Sequence, residues 1–280
     1  MNRATALGRL LPLALLGLAA ALAIVAVRAT AAPGFPGASY FGYVALTAAD
    51  GPPPPPPTPT PFPPGEPGIV ISNGSRDSSM VALTLDMGGR VEPALDIVNW
   101  LLANQVHATI FMTGAMAENP YTEAGRDVLR IIEAHPATFE LANHSYTHAD
   151  FRGLTASQIA DELARTERAM APYASQDPRP LFRPPFGGWN DSVVNAVAAA
   201  GYPRVIMWDI DTIDWMPEAE GGPSTNFIVS KVLNNARGGS IVLMHLGGYN
   251  TFEALPRIVA GLRERGFQLV TVGEMLGLPR

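Results

Sequence analysis

The chain of 280 residues contains no cysteine, which excludes disulfide bonds, cysteine-ligated zinc and thiol nucleophiles. This absence assigns no compartment, because exported proteins can fold without disulfides. Basic residues are also few. The 19 Lys and Arg residues stand against 25 Asp and Glu, giving a formal net charge of −6, and no basic patch stands out. Since nucleic-acid binders usually concentrate basic residues on one face, we expect no nucleic-acid partner.

A Gly-x-Ser-x-Gly motif is missing as well, and this excludes the nucleophile elbow of a serine esterase.

The amino-terminal 31 residues, in contrast, have the order of an export signal. Arg3 and Arg9 precede an uninterrupted apolar run at residues 10–27, and small residues follow it. This pattern fits either a cleaved signal peptide or an uncleaved membrane anchor. In both cases we expect the rest of the chain to lie outside the cytoplasm, with membrane contact only if the segment is retained.

Residues 32–78 are predicted to form an extended linker. Its proline-rich part, GPPPPPPTPTPFPPGEPG at residues 51–68, favours a polyproline II conformation because proline fixes φ and removes a backbone donor. Such a segment is typical of a stiff spacer that holds a domain away from a membrane. The alternative is a proline-rich ligand for another protein module.

The remaining residues, 79–280, alternate short apolar runs with amphipathic stretches. Strands are predicted at residues 81–85, 108–113, 138–142, 181–182, 204–207, 240–244 and 268–272, and helices at residues 92–104, 123–134, 156–170, 192–200, 225–237 and 252–265. This alternation predicts an α/β fold with a mainly parallel sheet of about seven strands, closed or nearly closed as a barrel. In such barrels the active site lies at the carboxyl ends of the strands.

Ionisable residues follow several of the predicted strands. The set consists of Asp86, His144 and His148, Arg183, Asp214 with Trp215, and His245. Two histidines four residues apart are spaced to bind one metal ion from a single helical turn. His107 and His135 lie elsewhere in the pattern, and we interpret them as structural.

Five motifs in this order resemble those of the polysaccharide deacetylases with a NodB-homology domain, carbohydrate-esterase family 4. The family motifs are Thr-Phe-Asp-Asp-Gly, His-Ser/Thr-x-x-His, Arg-x-Pro-Tyr/Phe, Asp-x-x-Asp-Trp and Leu-x-His. Here they stand as TLDMG at 84–88, HSYTH at 144–148, RPPF at 183–186, DTIDW at 211–215 and LMH at 243–245. The resemblance covers residues 81–275 and implies a distorted (β/α) barrel.

The resemblance also implies metal-assisted hydrolysis of an N-acetyl group on a polysaccharide such as peptidoglycan or a chitin-like polymer. His144 and His148 would bind a divalent metal, with zinc expected, that polarises the carbonyl and lowers the pKa of bound water. Asp86 would be the general base, kept ionised by Arg183.

The same resemblance assigns the other half of the reaction. The backbone N–H of Phe186 would face the oxyanion, together with the metal. His245 would protonate the departing amine, with its pKa raised by Asp214. Trp215 and Leu243 would line an apolar pocket for the acetyl methyl group.

One position departs from the family pattern, because Met87 stands where the second aspartate is the third metal ligand. A thioether is a weak, neutral ligand for zinc. Three accounts follow. Asp86 could itself turn to the metal, water could take the vacant position, or the site could have lost its activity. The first two are preferred together, because the other motif residues with assigned roles are present.

Three functions remain open from the sequence. The first is a metal-dependent deacetylase acting on cell-wall glycan, and the second is a glycan-binding protein with little or no activity. The third is a glycoside hydrolase, because strand-end carboxylates also suit two-acid chemistry, although that reaction has no use for the histidine pair. The oligomeric state does not follow from the sequence.

Overall fold

The computed structural model of the chain describes residues 65–279, so the export segment and residues 32–64 of the predicted linker lie outside the described residues. Nine strands occur here: β1 (Ile69–Ile71), β2 (Met80–Met87), β3 (Ala108–Met112), β4 (Phe139–Asn143), β5 (Leu181–Phe182), β6 (Arg204–Ile206), β7 (Ile210–Asp211), β8 (Ser240–His245) and β9 (Gln268–Val270).

The same residues form eight α-helices: α1 (Ala94–Ala103), α2 (Gly114–Ala117), α3 (Ala124–Ala134), α4 (Ala156–Met170), α5 (Asp191–Ala199), α6 (Thr225–Asn235), α7 (Thr251–Glu264) and α8 (Val272–Leu276). The six predicted helices correspond to α1 and α3–α7, with ends shifted by no more than two residues. None of the helices between residues 65 and 279 combines the length and apolar character that crossing a bilayer requires.

The strands form one sheet in the order β1-β6-β5-β4-β3-β2-β8-β7, with β9 pairing β2, and the pairs of named strands are parallel. β6 and β7 lie near opposite ends of this order, yet only residues 207–209 connect them. The two edges must therefore approach each other, so the sheet curls into the distorted barrel that the sequence predicts.

The predicted number of seven strands is too low, because eight strands lie along the curled sheet. The two strands absent from the prediction are β1 and β7, which have three and two residues. The last predicted strand also ends early, since Val272 begins α8. β1 lies in the part of the chain that the sequence pattern assigns to the linker, so the sheet begins before Ser79.

The alternation of side chains along β2 places its large apolar residues and Asp86 on opposite faces of the sheet. Successive side chains of a strand point to opposite faces. Leu83, Leu85 and Met87 belong to the apolar layer between the sheet and the helices α1, α3 and α7. Ala82 packs inside the curled sheet, and Asp86 follows it on that inner face. The strand thus carries Asp86 to the carboxyl end of the barrel interior.

Candidate active site

A cavity of about 600 Å³ opens at the carboxyl ends of β2, β4, β5, β7 and β8. Seven of the nine predicted site residues line it: Asp86, His144, His148, Phe186, Trp215, Leu243 and His245. The other two, Arg183 and Asp214, lie fully buried behind its wall. The structure therefore brings the predicted residues together at the face of the barrel where the sequence places them.

Asp86 and Arg183 form a buried ion pair at the bottom of this cavity. Nη1 of Arg183 donates to Oδ1 of Asp86 at 2.6 Å, and its Nε donates to the carbonyl of Ile206 at 3.1 Å. The guanidinium also lies 4.1 Å from the ring centre of Phe111, which shares the level of Asp86 on the neighbouring strand. Burial by itself raises the pKa of Asp86, but Arg183 and the nearby imidazoles outweigh it and hold that pKa below its usual value.

His245 and Asp214 form a second pair on the adjacent strand, where His245 is the register partner of Asp86. Nδ1 of His245 lies 2.7 Å from Oδ1 of Asp214. The other carboxylate oxygen accepts hydrogen bonds from the backbone N–H of His245 at 2.9 Å and from the Thr251 hydroxyl at 2.6 Å. Burial alone lowers the pKa of His245, but the hydrogen bond and charge of Asp214 raise it overall. The pair therefore favours a protonated imidazole facing the cavity.

The two histidines of the HSYTH motif lie in a loop after β4, so their predicted placement on one helical turn is wrong. Ser145 and His148 adopt positive φ angles of 70° and 61°, and this turns the chain too sharply for a helix. The loop still brings the two imidazole ring centres to 4.9 Å in an edge-to-face contact.

Glu162 of α4, which the sequence did not single out, holds this loop in place. One of its carboxylate oxygens accepts the backbone N–H groups of Tyr146 at 2.9 Å and Thr147 at 2.8 Å, and the other accepts the Thr147 hydroxyl at 2.9 Å. Glu162 is only 8% exposed. A carboxylate on the apolar side of α4, between Ile159 and Leu163, is the sequence signal that could have identified it.

The imidazoles are suited to act as metal ligands in their neutral form. Nδ1 of His144 lies 2.8 Å from the carbonyl of Arg183, an arrangement that leaves Nε2 3.5 Å from Oδ2 of Asp86. Burial lowers the pKa of His144 to about 4, and burial also lowers that of His148. A neutral imidazole whose second nitrogen is held by a carbonyl, as in His144, is typical of metal sites.

The third ligand of the family pattern is missing from this site. The side chain of Met87 is completely buried in the layer between sheet and helices, on the opposite face of β2 from Asp86. Oδ1 of Asp86 is taken by Arg183. Among residues 65–279 no group of three or more His, Asp or Glu side chains is arranged to hold a metal ion. The described residues thus place two imidazoles together at the cavity but do not form a complete three-ligand metal site.

Exposed aromatic side chains form the rim of the cavity. Phe186 is 71% exposed, has a positive φ of 58°, and touches the His148 ring with centroids 4.7 Å apart. Trp215 is 53% exposed, whereas Leu243 is buried in the wall. Aromatic faces of this kind offer apolar area to a ligand at the mouth of the cavity.

Comparison with known proteins gives a consistent result. The family model for polysaccharide deacetylase matches residues 73–205. A peptidoglycan-N-acetylglucosamine deacetylase of Bacillus cereus is 30% identical over 205 residues, which cover 71% of this chain and 89% of that protein. A bifunctional xylanase/xylan deacetylase of Cellvibrio japonicus is 35% identical over 196 residues, covering 69% of this chain and 27% of the enzyme. The chain also spans 60% of the uncharacterised protein YlxY of Bacillus subtilis, to which it is 28% identical over 206 residues, 74% of this chain.

Among solved structures, a pseudoenzyme of carbohydrate esterase family 4 from Bacillus anthracis is similar, with a TM-score of 0.63 and 30% identity. The match covers 74% of this chain and 69% of that one. A mutant of the same pseudoenzyme with restored enzymatic activity matches with the same TM-score and 31% identity, covering 74% of this chain and 71% of the mutant. The proteins similar to this chain thus include a pseudoenzyme as well as deacetylases.

Proposed function

The chain belongs to the polysaccharide deacetylase family, and we propose that it hydrolyses N-acetyl groups of a cell-surface or extracellular polysaccharide, either peptidoglycan or a chitin-like polymer. The observation that carries this proposal is the pair of dyads, Asp86 with Arg183 and His245 with Asp214, which meet at one cavity. Amide hydrolysis needs a base for the water and an acid for the departing amine. One dyad lowers the pKa of Asp86 and the other raises the pKa of His245, so together they supply the base and the acid.

Asp86 is proposed as the base. Its pKa is held low, so it is ionised at neutral pH and can accept a proton from a water molecule at Oδ2, the oxygen that Arg183 leaves free. Arg183 is fixed by carbonyl groups of the β6 end, and it therefore orients the carboxylate as well as stabilising its charge.

His245 is proposed as the acid. Asp214 raises the pKa of the imidazole and, by accepting from Nδ1, leaves Nε2 to face the cavity. Because His245 and Asp86 are register partners on adjacent strands, a substrate between them can meet base and acid at the same level. Trp215 and Leu243 are proposed to enclose the acetyl methyl group, and the backbone N–H of Phe186 to face the developing oxyanion.

A divalent metal, zinc in this proposal, would supply a Lewis acid at the carbonyl oxygen. His144 and His148 would hold it, with Asp86 as the nearest carboxylate. Since the site lacks the complete set of three protein ligands, we expect the affinity for zinc to be low, and the proton transfers above are assigned to the chain's own side chains.

A second function, a glycan-binding protein without activity, is favoured by one observation. Met87 replaces the expected ligand and is buried away from the site. Binding needs the cavity and its aromatic rim but no metal ligand, so the same structure would serve it. For either function, a location outside the cytoplasm is proposed from the amino-terminal segment.

Acetate release from N-acetylglucosamine oligomers, measured with chelator and with added zinc, tests the proposal. We expect acetate from the native protein with zinc, and losses of about 100-fold or more for Asp86→Asn and His245→Gln. His107→Gln is the matched control, because His107 pairs with Glu274 at the other end of the sheet. Binding of oligomers without acetate would establish the second function, and new reducing ends without acetate would indicate a glycoside hydrolase.

A further inference from the structure

Arg90 lines the same cavity but has no role in the proposed chemistry. It follows the end of β2 by three residues and lies exposed at the rim. Gly88, two residues before it, packs so closely to the site that a Cβ there would lie 3.0 Å from the His148 ring. The guanidinium itself contacts residues 247–249, so the cation lies at the mouth of the cavity beside the loop that follows His245, where a sugar next to the reacting one would pass.

The guanidinium of Arg90 is held in position but not neutralised. It lies 4.6 Å from the ring centre of Tyr249, and its Nη1 donates to the carbonyls of Gly247 at 3.2 Å and Gly248 at 3.4 Å. Within residues 65–279 it forms no ion pair, and no hydrogen bond is donated from its Nε or Nη2. Two donor groups and the full charge are thus available to a ligand.

The acidic side chains around the cavity do not neutralise the charge of Arg90. Asp86 is neutralised by Arg183. Asp211 also lines the cavity, but it ends β7, which β8 separates from β2, and its Oδ1 accepts the N–H of Ile213 at 2.8 Å. In a chain with a net charge of −6, an unpaired arginine at the rim is not part of a general basic surface.

We propose that Arg90 forms a subsite for a carboxylate of the polysaccharide, so that the substrate class is an anionic glycan carrying carboxylates next to its N-acetylated sugars. A planar guanidinium with two free donor groups matches a carboxylate and makes strong charge-assisted hydrogen bonds. A neutral chitin-like chain offers no group that needs this cation. The inference rests on the proposed function for the site, but it concerns binding and can be measured without turnover.

Calorimetric titration of the native protein with three tetrasaccharides tests this subsite. One consists of N-acetylglucosamine, the second alternates N-acetylglucosamine with N-acetylmuramic acid, and the third is the second with its carboxylates converted to methyl esters. We expect the acid to bind about tenfold more tightly than its ester at low ionic strength. This preference should shrink in about 0.5 M salt, because salt screens exposed charges.

In Arg90→Gln the preference for the acid over the ester should disappear, and in Arg90→Lys part of it should remain. Arg257→Gln is the matched control, since Arg257 is exposed on α7, pairs with Asn226 and lies outside the cavity lining.

Equal affinity of the native protein for acid and ester, or no binding of the acid, would overturn the inference. So would an equal loss for all three ligands in Arg90→Gln with a lowered melting temperature, which would make Arg90 a structural clamp on the loop at residues 247–249. A binding preference without acetate release would support the subsite while refuting the deacetylase.

Discussion

Two adjacent residues of β2 face in opposite directions, and this determines the character of the site. Asp86 points into the barrel, where Arg183 holds it, whereas Met87 points into the apolar layer with Leu83 and Leu85. The backbone carbonyl of Met87 accepts both the N–H and the hydroxyl of Thr113. The third ligand is therefore missing for two reasons: residue 87 is a methionine, and its side chain points away from the cavity.

Met87→Asp should destabilise the protein without creating a metal ligand. A carboxylate placed in the apolar layer would be buried without a partner, at a cost of about 3 kcal/mol or more. Met87→Leu, the control, keeps volume and polarity and should cost less than about 1.5 kcal/mol. Chemical denaturation and zinc titration measure both. If Met87→Asp were as stable as the native protein and bound zinc more tightly, the side chain at residue 87 would have to turn toward the histidines.

Asp214→Asn should lower the pKa of His245. The native carboxylate raises that pKa, so the folded protein holds the proton more tightly than the unfolded chain does. The stability gained from this pair is fully present below the unfolded pKa of about 6.5 and is lost as the pH rises through the folded value. Histidine titration by NMR should show a lower pKa of His245 in the variant than in the native protein.

The control for that experiment is Asp191→Asn, which removes the same charge at the exposed start of α5. It should leave the titration of His245 unchanged. A titration curve of His245 that is the same in Asp214→Asn as in the native protein would contradict the role given to Asp214.

At the scale of elements, the histidine loop depends on α4. The helix begins at a capping box in which Thr155 and Gln158 satisfy each other's backbone N–H groups. Two turns later it presents Glu162 to the loop. The strained backbone at Ser145 and His148 is thus held by hydrogen bonds from a helix that contributes no group to the cavity surface.

Glu162→Ala should loosen this loop while leaving the sheet folded. The variant deprives the N–H groups of Tyr146 and Thr147 of their acceptor. Each lost charge-assisted bond is worth about 1.5–3 kcal/mol, so amide hydrogen exchange at these two residues should accelerate at least about tenfold. Glu162→Gln keeps one acceptor oxygen and should give an intermediate rate. Unchanged exchange in Glu162→Ala would show that the loop is held by other contacts.

At the scale of the whole molecule, residues before Ser79 complete the sheet. β1 pairs with β6, and Asn73 forms a bridge to Ser240 of β8. Arg76 forms an ion pair with Asp209 at 2.9 Å, close to the connection between β6 and β7. This short segment therefore contacts both sides of the gap at which the barrel is open.

A chain that begins at residue 79 should melt at a lower temperature than one that begins at residue 65. The shorter chain loses the β1 pairing, the bridge and the ion pair, and we expect a decrease of at least about 5 °C. Differential scanning calorimetry of the two chains measures it. Equal melting temperatures would mean that the domain begins at residue 79, as the sequence pattern suggests.

Much of the molecule was determined by the sequence alone. Apolar runs of five or six residues and amphipathic stretches of nine to fifteen predicted the longer strands and helices, because burial on one or both faces imposes a period that can be read locally. The order of the five motifs indicated the family and the residues at the carboxyl ends of the strands. The short elements β1, β7, α2 and α8 have too few residues to show a period, and their existence depends on pairing with distant segments.

Only the tertiary structure decided how the site is assembled. The sequence shows that Met87 follows Asp86, but the pleat of β2 and the packing of helices on one face decide that Met87 is buried away from the cavity. Spacing suggested a helical turn for His144 and His148, whereas a carboxylate of α4 and two left-handed residues shape a loop. Arg90 became a candidate because the curled sheet places it beside Tyr249, which lies far along the chain. These features depend on long-range contacts, and the local sequence carries no periodic signal for such contacts.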